Sequence, residues 1–224
     1  MEPHTIYATI RQRLLDLAPT LDDRQQAAPL SATPPWTVVD GYRHLAGGCA
    51  DVLDGRTEGG GSPAWTAAHL EARADRDLFE VCEEWAERGP DLDGVLQEAG
   101  AAMGWSVLDA WVHEQDIRAA TGVGTLHDDQ LLDDLVPLAL GTFGGYYAQA
   151  GGPTLRLVLD GESHTLGDDE PSAELTTTPY EMLRIVFGRR SERQVADARW
   201  SGPDASAARA AFRVFDRPTV DITD

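Results

Sequence analysis

The chain contains no lysine and no asparagine, and all 18 of its basic residues are arginine. Both missing residues are encoded by A-rich codons, so their joint absence points to a very GC-rich genome, such as that of an actinobacterium. Adaptation to high salt would also remove lysine and enrich acids, but it leaves the missing asparagine without a cause. Cysteine is nearly absent too. Cys49 and Cys82 are too few for a disulfide framework, and a reducing cytoplasm is the expected setting. No apolar run reaches the length of a membrane span, and MEPHTIYATIRQ at the N-terminus lacks a signal-peptide pattern, so neither insertion nor export is expected. Positive charge is scarce: 18 basic against 38 acidic residues leave a formal charge of −20, which argues against a nucleic-acid partner or an anionic membrane surface.

What is present reads as mostly helix, then a change of period. At 224 residues the chain can bury a substantial core, in one large or two small domains. Ile6, Ile10, Leu14 and Leu17 repeat at helical spacing over residues 4–18. A second helix opens on Thr37 as N-cap, with Asp40 three residues on, and carries Val38, Tyr42, Leu45, Cys49 and Val52. Helical pattern resumes at Trp65 and runs to about Arg88 with a break near Asp75; a short segment, Asp91–Ala99, leads into a helix that stops at Gly122. A further helix over 129–150 should kink at Pro137. From Leu155 the apolar period becomes two, Asp160-Gly161 suits a hairpin turn, and Thr178-Pro179-Tyr180-Glu181 opens another helix with a capping box. The fold class is therefore α+β: a helical bundle over residues 1–150 and a small α+β domain over 151–224.

One polar stripe stands out. In AAMGWSVLDAWVHEQDIRAATG, residues 101–122, the side chains of Asp109, His113 and Asp116 leave one helix face at i, i+4 and i+7. Burying them is costly without a partner, and a carboxylate and an imidazole one turn apart can share a metal ion. His44, on the second helix between Gly41 and Gly48, would complete a set of two imidazoles and one carboxylate. Such a set leaves positions open, as catalytic sites do. The competing account is a hydrogen-bonded core histidine, with glycines placed for close packing.

PPWTVVDGYRHLAG (residues 34–47) followed by VLDAWVHEQDIRAATG (107–122) resembles the mycothiol-dependent maleylpyruvate isomerase family, within the DinB-like four-helix metalloprotein superfamily. TTTPYEMLRIVFGRRSERQ (176–194), followed by Trp200, is similar to the small domain that often follows in that family. The resemblance covers nearly the whole chain. It implies a DinB-like four-helix bundle with a small α+β C-terminal domain, and a divalent metal, usually zinc, at His44, Asp109 and His113. It also implies mycothiol as the thiol cofactor: the thiol enters the metal's open position, ionises there, and attacks a small electrophile. If the adduct is released the enzyme is an S-transferase; if the thiolate leaves again after rotation about the former double bond, it is an isomerase. The family's better-known pattern has glutamate where this chain has Asp109, and the shorter arm would move the ion by about a bond length. Nothing in the chain identifies maleylpyruvate, so the transferase description is preferred.

The remaining polar residues have plainer assignments. Asp116 could orient His113, or pair with Arg43. Arg118 lies on the opposite helix face and is structural. Arg184, Arg189, Arg190 and Arg193 form a basic cluster that could receive a cofactor carboxylate, though pairing with the protein's own acids is the simpler account. His4, His69, His127 and His164 are expected to face solvent, Cys49 and Cys82 to pack in the core. The glycines beside His44 are expected to open a path for the thiol. Two other functions compete: a metal- or ligand-binding protein without turnover, and a hydrolase whose metal activates water.

Overall fold

The computed structural model describes residues 1–224, a helix-rich α+β chain with one small sheet. It divides into two compact units, Met1–Thr125 (with the terminal Asp224) and Leu126–Thr223. No helix is long and apolar enough to cross a membrane.

In the first unit, α1 (Pro3–Leu17) buries Ile6, Tyr7, Ile10 and Leu14, the i, i+4, i+8 stripe that its sequence sets out. A short α2 (Asp23–Gln26) follows, with a capping box between Asp22 and Gln25. Helix α3 (Val38–Leu53) starts where the sequence places it: the Thr37 side chain accepts from the Asp40 N–H, and the Asp40 carboxylate accepts from the Thr37 N–H. Helix α4 (Pro63–Glu71) begins at the Ser62 cap, and α5 (Leu78–Ala99) at a box between Asp77 and Glu80. A 3₁₀ turn, Gly100–Met103, joins α5 to α6 (Gly104–Thr121), which ends on Gly122 at φ 74°. Helices α1 and α3 each pack against both α5 and α6, and α4 lies on α3. Polar ties fix two of these seams: the Tyr42 hydroxyl donates to the Leu14 carbonyl at 2.8 Å, and the Trp85 indole to the Tyr7 hydroxyl at 3.0 Å.

The segment from Asp91 to Ala99 is not separate, as the sequence suggested, but the second half of α5, which runs through Pro90. Burial outweighs the proline's missing N–H here: Leu92 and Leu96 extend the face formed by Leu78, Val81 and Trp85. Gly89 lies against the Arg11 guanidinium, whose fork onto Asp93 at 2.7 Å for both bonds ties α1 to that second half.

In the second unit, α7 (Leu132–Gln149) runs unbroken through Pro137 and packs on α8 (Pro179–Val186) and on the strand Glu162–Leu166 of the sheet. The division between the units falls in sequence after Thr125, ahead of α7; the change of apolar period gave an expected boundary at 150. Strands β1 (Leu155–Leu159) and β2 (Glu162–Leu166) form a hairpin across Asp160-Gly161, both at positive φ as a two-residue turn requires. Strand β3 (Ala173–Thr177) pairs parallel to β1 on its other side, and β4 (Arg199–Ser201) antiparallel to β3, giving the order β2-β1-β3-β4. Helix α9 (Glu192–Asp197) precedes β4, and α10 (Ala205–Ala211) follows it. Thr178 caps α8 as expected, but Glu181 does not close a capping box; its carboxylate instead receives a two-bond fork from Arg190.

Candidate metal centre

The first unit brings His44 of α3 to Asp109 and His113 of α6. Their ligand atoms all lie within 4.8 Å of one another. His44 Nε2 is 3.1 Å from Asp109 Oδ2, and His113 Nε2 is 3.6 Å from Asp109 Oδ1, so one carboxylate spans both rings. The imidazoles are buried, while the Asp109 side chain keeps 39% of its surface. The cluster is thus open on the carboxylate side. Trp36, just ahead of α3, covers the rings: its centroid is 5.0 Å from His44 and 5.7 Å from His113, nearly parallel to the latter. Trp65 of α4 meets His44 edge-on.

Each histidine has a second partner behind it. His113 Nδ1 lies 3.4 Å from the Asp116 carboxylate one turn along α6. Behind His44 stands His69 of α4, their Nδ1 atoms 3.2 Å apart, and His69 Nε2 in turn meets Asp51 Oδ2 at 3.0 Å. The other Asp51 oxygen accepts from Arg56 Nε at 2.9 Å. His69 was expected at the surface; it is 2% exposed. Burial pushes its imidazole below the usual range, against the opposing pull of the Asp51 hydrogen bond, so the neutral ring is favoured. His4 and His164 are half-buried and His127 is exposed.

The glycines near His44 do something other than expected. A Cβ on Gly41 would press on Leu30 and Ile117 at 3.1–3.3 Å, and one on Gly48 would only touch Trp65 at 3.7 Å. Both thus sit against side-chain packing. It is Gly47 that matters: a Cβ there would lie 2.4–2.8 Å from the ring and Cβ of His69. Gly47 is the seat of His69.

Whether these residues suit a cation can be judged from spacing and lone pairs. A tetrahedral ion with bonds of about 2.0–2.2 Å holds its ligand atoms roughly 3.4 Å apart. The separations of 3.1 and 3.6 Å, which run to the two different oxygens of Asp109, lie on either side of that figure, and the whole set falls within 4.8 Å. A histidine that is metallated at one nitrogen donates from the other to a second group; His69 Nδ1 is in hydrogen-bond reach of His44 for this, and the Asp116 carboxylate lies 3.4 Å from His113 Nδ1. The donor set of two imidazoles and one carboxylate fits a borderline-soft divalent ion.

Other candidate residues go elsewhere. Arg43 pairs with Asp40 and with the carbonyls of Ala74 and Arg76, and so is not the partner of Asp116. Arg118 pairs with Glu114 at 3.0 Å, a structural contact as expected. Arg184, Arg189 and Arg190 are buried rather than forming a surface patch, with Arg190 forked onto Glu181 and Arg189 donating to the Phe187 carbonyl; exposed Arg193 pairs with Asp221. Burial also raises the thiols, Cys49 to about 11 and Cys82 to about 12, which leaves both protonated at neutral pH.

No protein-family model matches the chain. No curated protein matches it either. Solved structures do. The chain is similar to the crystal structure of the mycothiol-dependent maleylpyruvate isomerase at 13% identity, with a TM-score of 0.58 over 85% of this chain and 89% of that one. It is also similar to a histidine-to-alanine mutant of the mycothiol-dependent maleylpyruvate isomerase, at 12% identity and a TM-score of 0.52 over 83% and 88% of the two chains. At such identities the likeness is one of fold.

Proposed function

We propose that the chain is a divalent-metal-dependent, mycothiol-dependent enzyme, an S-transferase or isomerase acting on a small electrophile. The observation that carries this is the meeting of His44 with Asp109, 65 residues further along the chain, and with His113, in a fold shared with a mycothiol-dependent isomerase. On this reading α1, α3, α5 and α6 are the helices of a DinB-like bundle. His44, Asp109 and His113 hold the ion, and zinc suits them best. The setting is the cytoplasm of an actinobacterium, where mycothiol is the small thiol.

A bound divalent cation would lower the pKa of an incoming thiol, so that the sulfur is ionised at neutral pH. The chain's own residues supply the rest. Two neutral imidazoles and one carboxylate offset only one of the ion's two charges, so the centre still attracts an anionic sulfur. Trp36 shields the two imidazoles from water, which strengthens that attraction. The Asp109 side, with the most exposed of the three side chains, is where thiol and electrophile have room to approach.

The test is metal analysis of the purified protein, then calorimetry of mycothiol binding in two buffers of different ionisation enthalpy, then turnover on a panel of electrophiles. Co-purifying zinc, proton release on thiol binding and thiol-dependent turnover are expected. Turnover of ester or amide substrates without thiol would replace the proposal with a hydrolase using bound water. Metal and thiol binding without turnover on any electrophile would replace it with a binding protein.

A further inference from the structure

We propose that His69 and Asp51 are positioning residues, a directional hydrogen-bond relay that presents the bare Nε2 of His44 to the centre. The inference rests on the metal reading above only for its purpose; the direction of the relay follows from the contacts of two neutral rings. An ionised carboxylate can only accept, so His69 Nε2 must carry the proton of its 3.0 Å contact with Asp51. A neutral imidazole has one N–H, which leaves His69 Nδ1 as an acceptor. Its 3.2 Å contact with His44 Nδ1 therefore requires the proton on His44 Nδ1. By the same rule His44 Nε2 is left with a lone pair, aimed at Asp109 Oδ2 only 3.1 Å away. Two acceptors at that distance repel unless a cation lies between or beside them.

The relay is built rather than incidental. His69 is held against the bare backbone of Gly47, where any side chain would displace its ring. Arg56 holds the far oxygen of Asp51 through its Nε at 2.9 Å, leaving the near one for His69. Trp65, one turn before His69 on α4, packs on it with centroids 4.1 Å apart. No other arrangement of single protons on neutral rings satisfies both inter-residue contacts.

The relay also says what would reverse it. In Asp51→Asn the amide can donate to His69 Nε2. His69 then carries its proton on Nδ1 and donates to His44 Nδ1, and His44 Nε2–H points at Asp109. The shape of the site is kept, but the ligand lone pair is lost.

Two measurements test this. Long-range ¹H–¹⁵N correlation on metal-free, histidine-labelled protein reads the tautomer of His44 directly, and titration with zinc against a chromophoric chelator reads affinity. We expect the Nδ1–H tautomer of His44 in the natural protein and the Nε2–H tautomer in Asp51→Asn. Zinc binding should weaken by roughly 10- to 100-fold in that variant, as for other losses of support behind a ligand. His69→Phe, which keeps the ring and removes the acceptor, should weaken zinc binding similarly. His69→Asn, whose side-chain oxygen can replace Nδ1, should restore most of the affinity. An Nε2–H tautomer in the natural protein, or equal zinc affinity in the Phe and Asn variants, would overturn the relay. If the tautomers behave as expected but the natural protein binds no zinc, the relay stands and the metal reading fails.

Discussion

The two histidines of the centre are supported by different means. His113 has a carboxylate directly behind it: Asp116 lies on the same helix, one turn on, and 3.4 Å away. His44 reaches its carboxylate through an intervening ring, His69, which belongs to another helix. The first arrangement is local and survives as long as α6 does. The second depends on how α4 docks on α3, and so on Gly47 and Trp65. Local support places one carboxylate at short range; the relay joins the ligand to the packing of a neighbouring helix.

Removing a ligand outright should have the largest effect. His44→Ala is expected to abolish zinc retention through dialysis, a loss greater than the roughly 10- to 100-fold that follows from losing support behind a ligand. His113→Ala should match it, because the comparison concerns what stands behind the rings and not the rings themselves. Unequal loss in the two variants, measured by metal content, would mean that the centre is not shared between α3 and α6.

Asp116→Asn comes next. An amide keeps the shape and can still accept through its oxygen, so zinc affinity should fall by roughly tenfold, at the low end of the range for such partners. Unlike Asp51→Asn, it should not change the tautomer of His44. If Asp116→Asn instead reverses His44, the two supports are one network, and the contrast between them is mistaken.

A smaller effect is expected from Gly47→Ala, which leaves every polar group in place. The added methyl would overlap the His69 ring, and overpacking of this kind costs about 1–3 kcal/mol, partly offset by roughly 1 kcal/mol of helix propensity. Gly89→Ala is the control. Its Cβ would meet the Arg11 guanidinium at 2.5–2.6 Å and press on the fork to Asp93, away from the centre. Thermal unfolding should show a lowered midpoint for both variants, and only Gly47→Ala should weaken zinc binding. Loss of zinc in both would point to general loosening instead.

The same contrast explains what could be read from the sequence. Asp109, His113 and Asp116 announce themselves because their spacing along one helix is their spacing in space. The capped start of α3, with Thr37 and Asp40, is equally local. His44 could be proposed because it stands alone at the edge of an apolar stripe. His69 could not, since it lies in the short α4, where nine residues give too little periodicity to choose a face. A signal was nonetheless present on α3: His44, Gly48 and Asp51 repeat the i, i+4, i+7 spacing of Asp109, His113 and Asp116. The glycine brings no ligand to that stripe, and its neighbour Gly47 seats the missing imidazole from outside. The helix end expected near Arg88 fails for the converse reason, because the apolar face of α5 continues past Pro90 and tertiary burial outweighs the local defect.

The smallest effect is expected at the protein's own thiols, which bear on the comparison because Cys49 lies five residues beyond His44 on α3. His44 faces the centre, whereas Cys49 is buried among groups that include Arg11 and Tyr7 of α1, and desolvation holds its thiol up at about 11, with Cys82 at about 12. Neither should react with iodoacetamide at neutral pH in the folded protein, and Cys49→Ala should leave zinc binding unchanged. Both folded values lie above 9.0, the ordinary value. The thiols therefore ionise more readily in the unfolded chain. Their contribution to stability is complete below pH 9.0 and is lost as the pH rises from there toward 11 and 12. Chemical unfolding measured between pH 8 and pH 11 should show this decline, with a shallower slope in Cys49→Ala. Rapid alkylation of Cys49 at neutral pH would place it on the open side of α3 with His44, and the division of that helix into a polar face and a core face would be wrong.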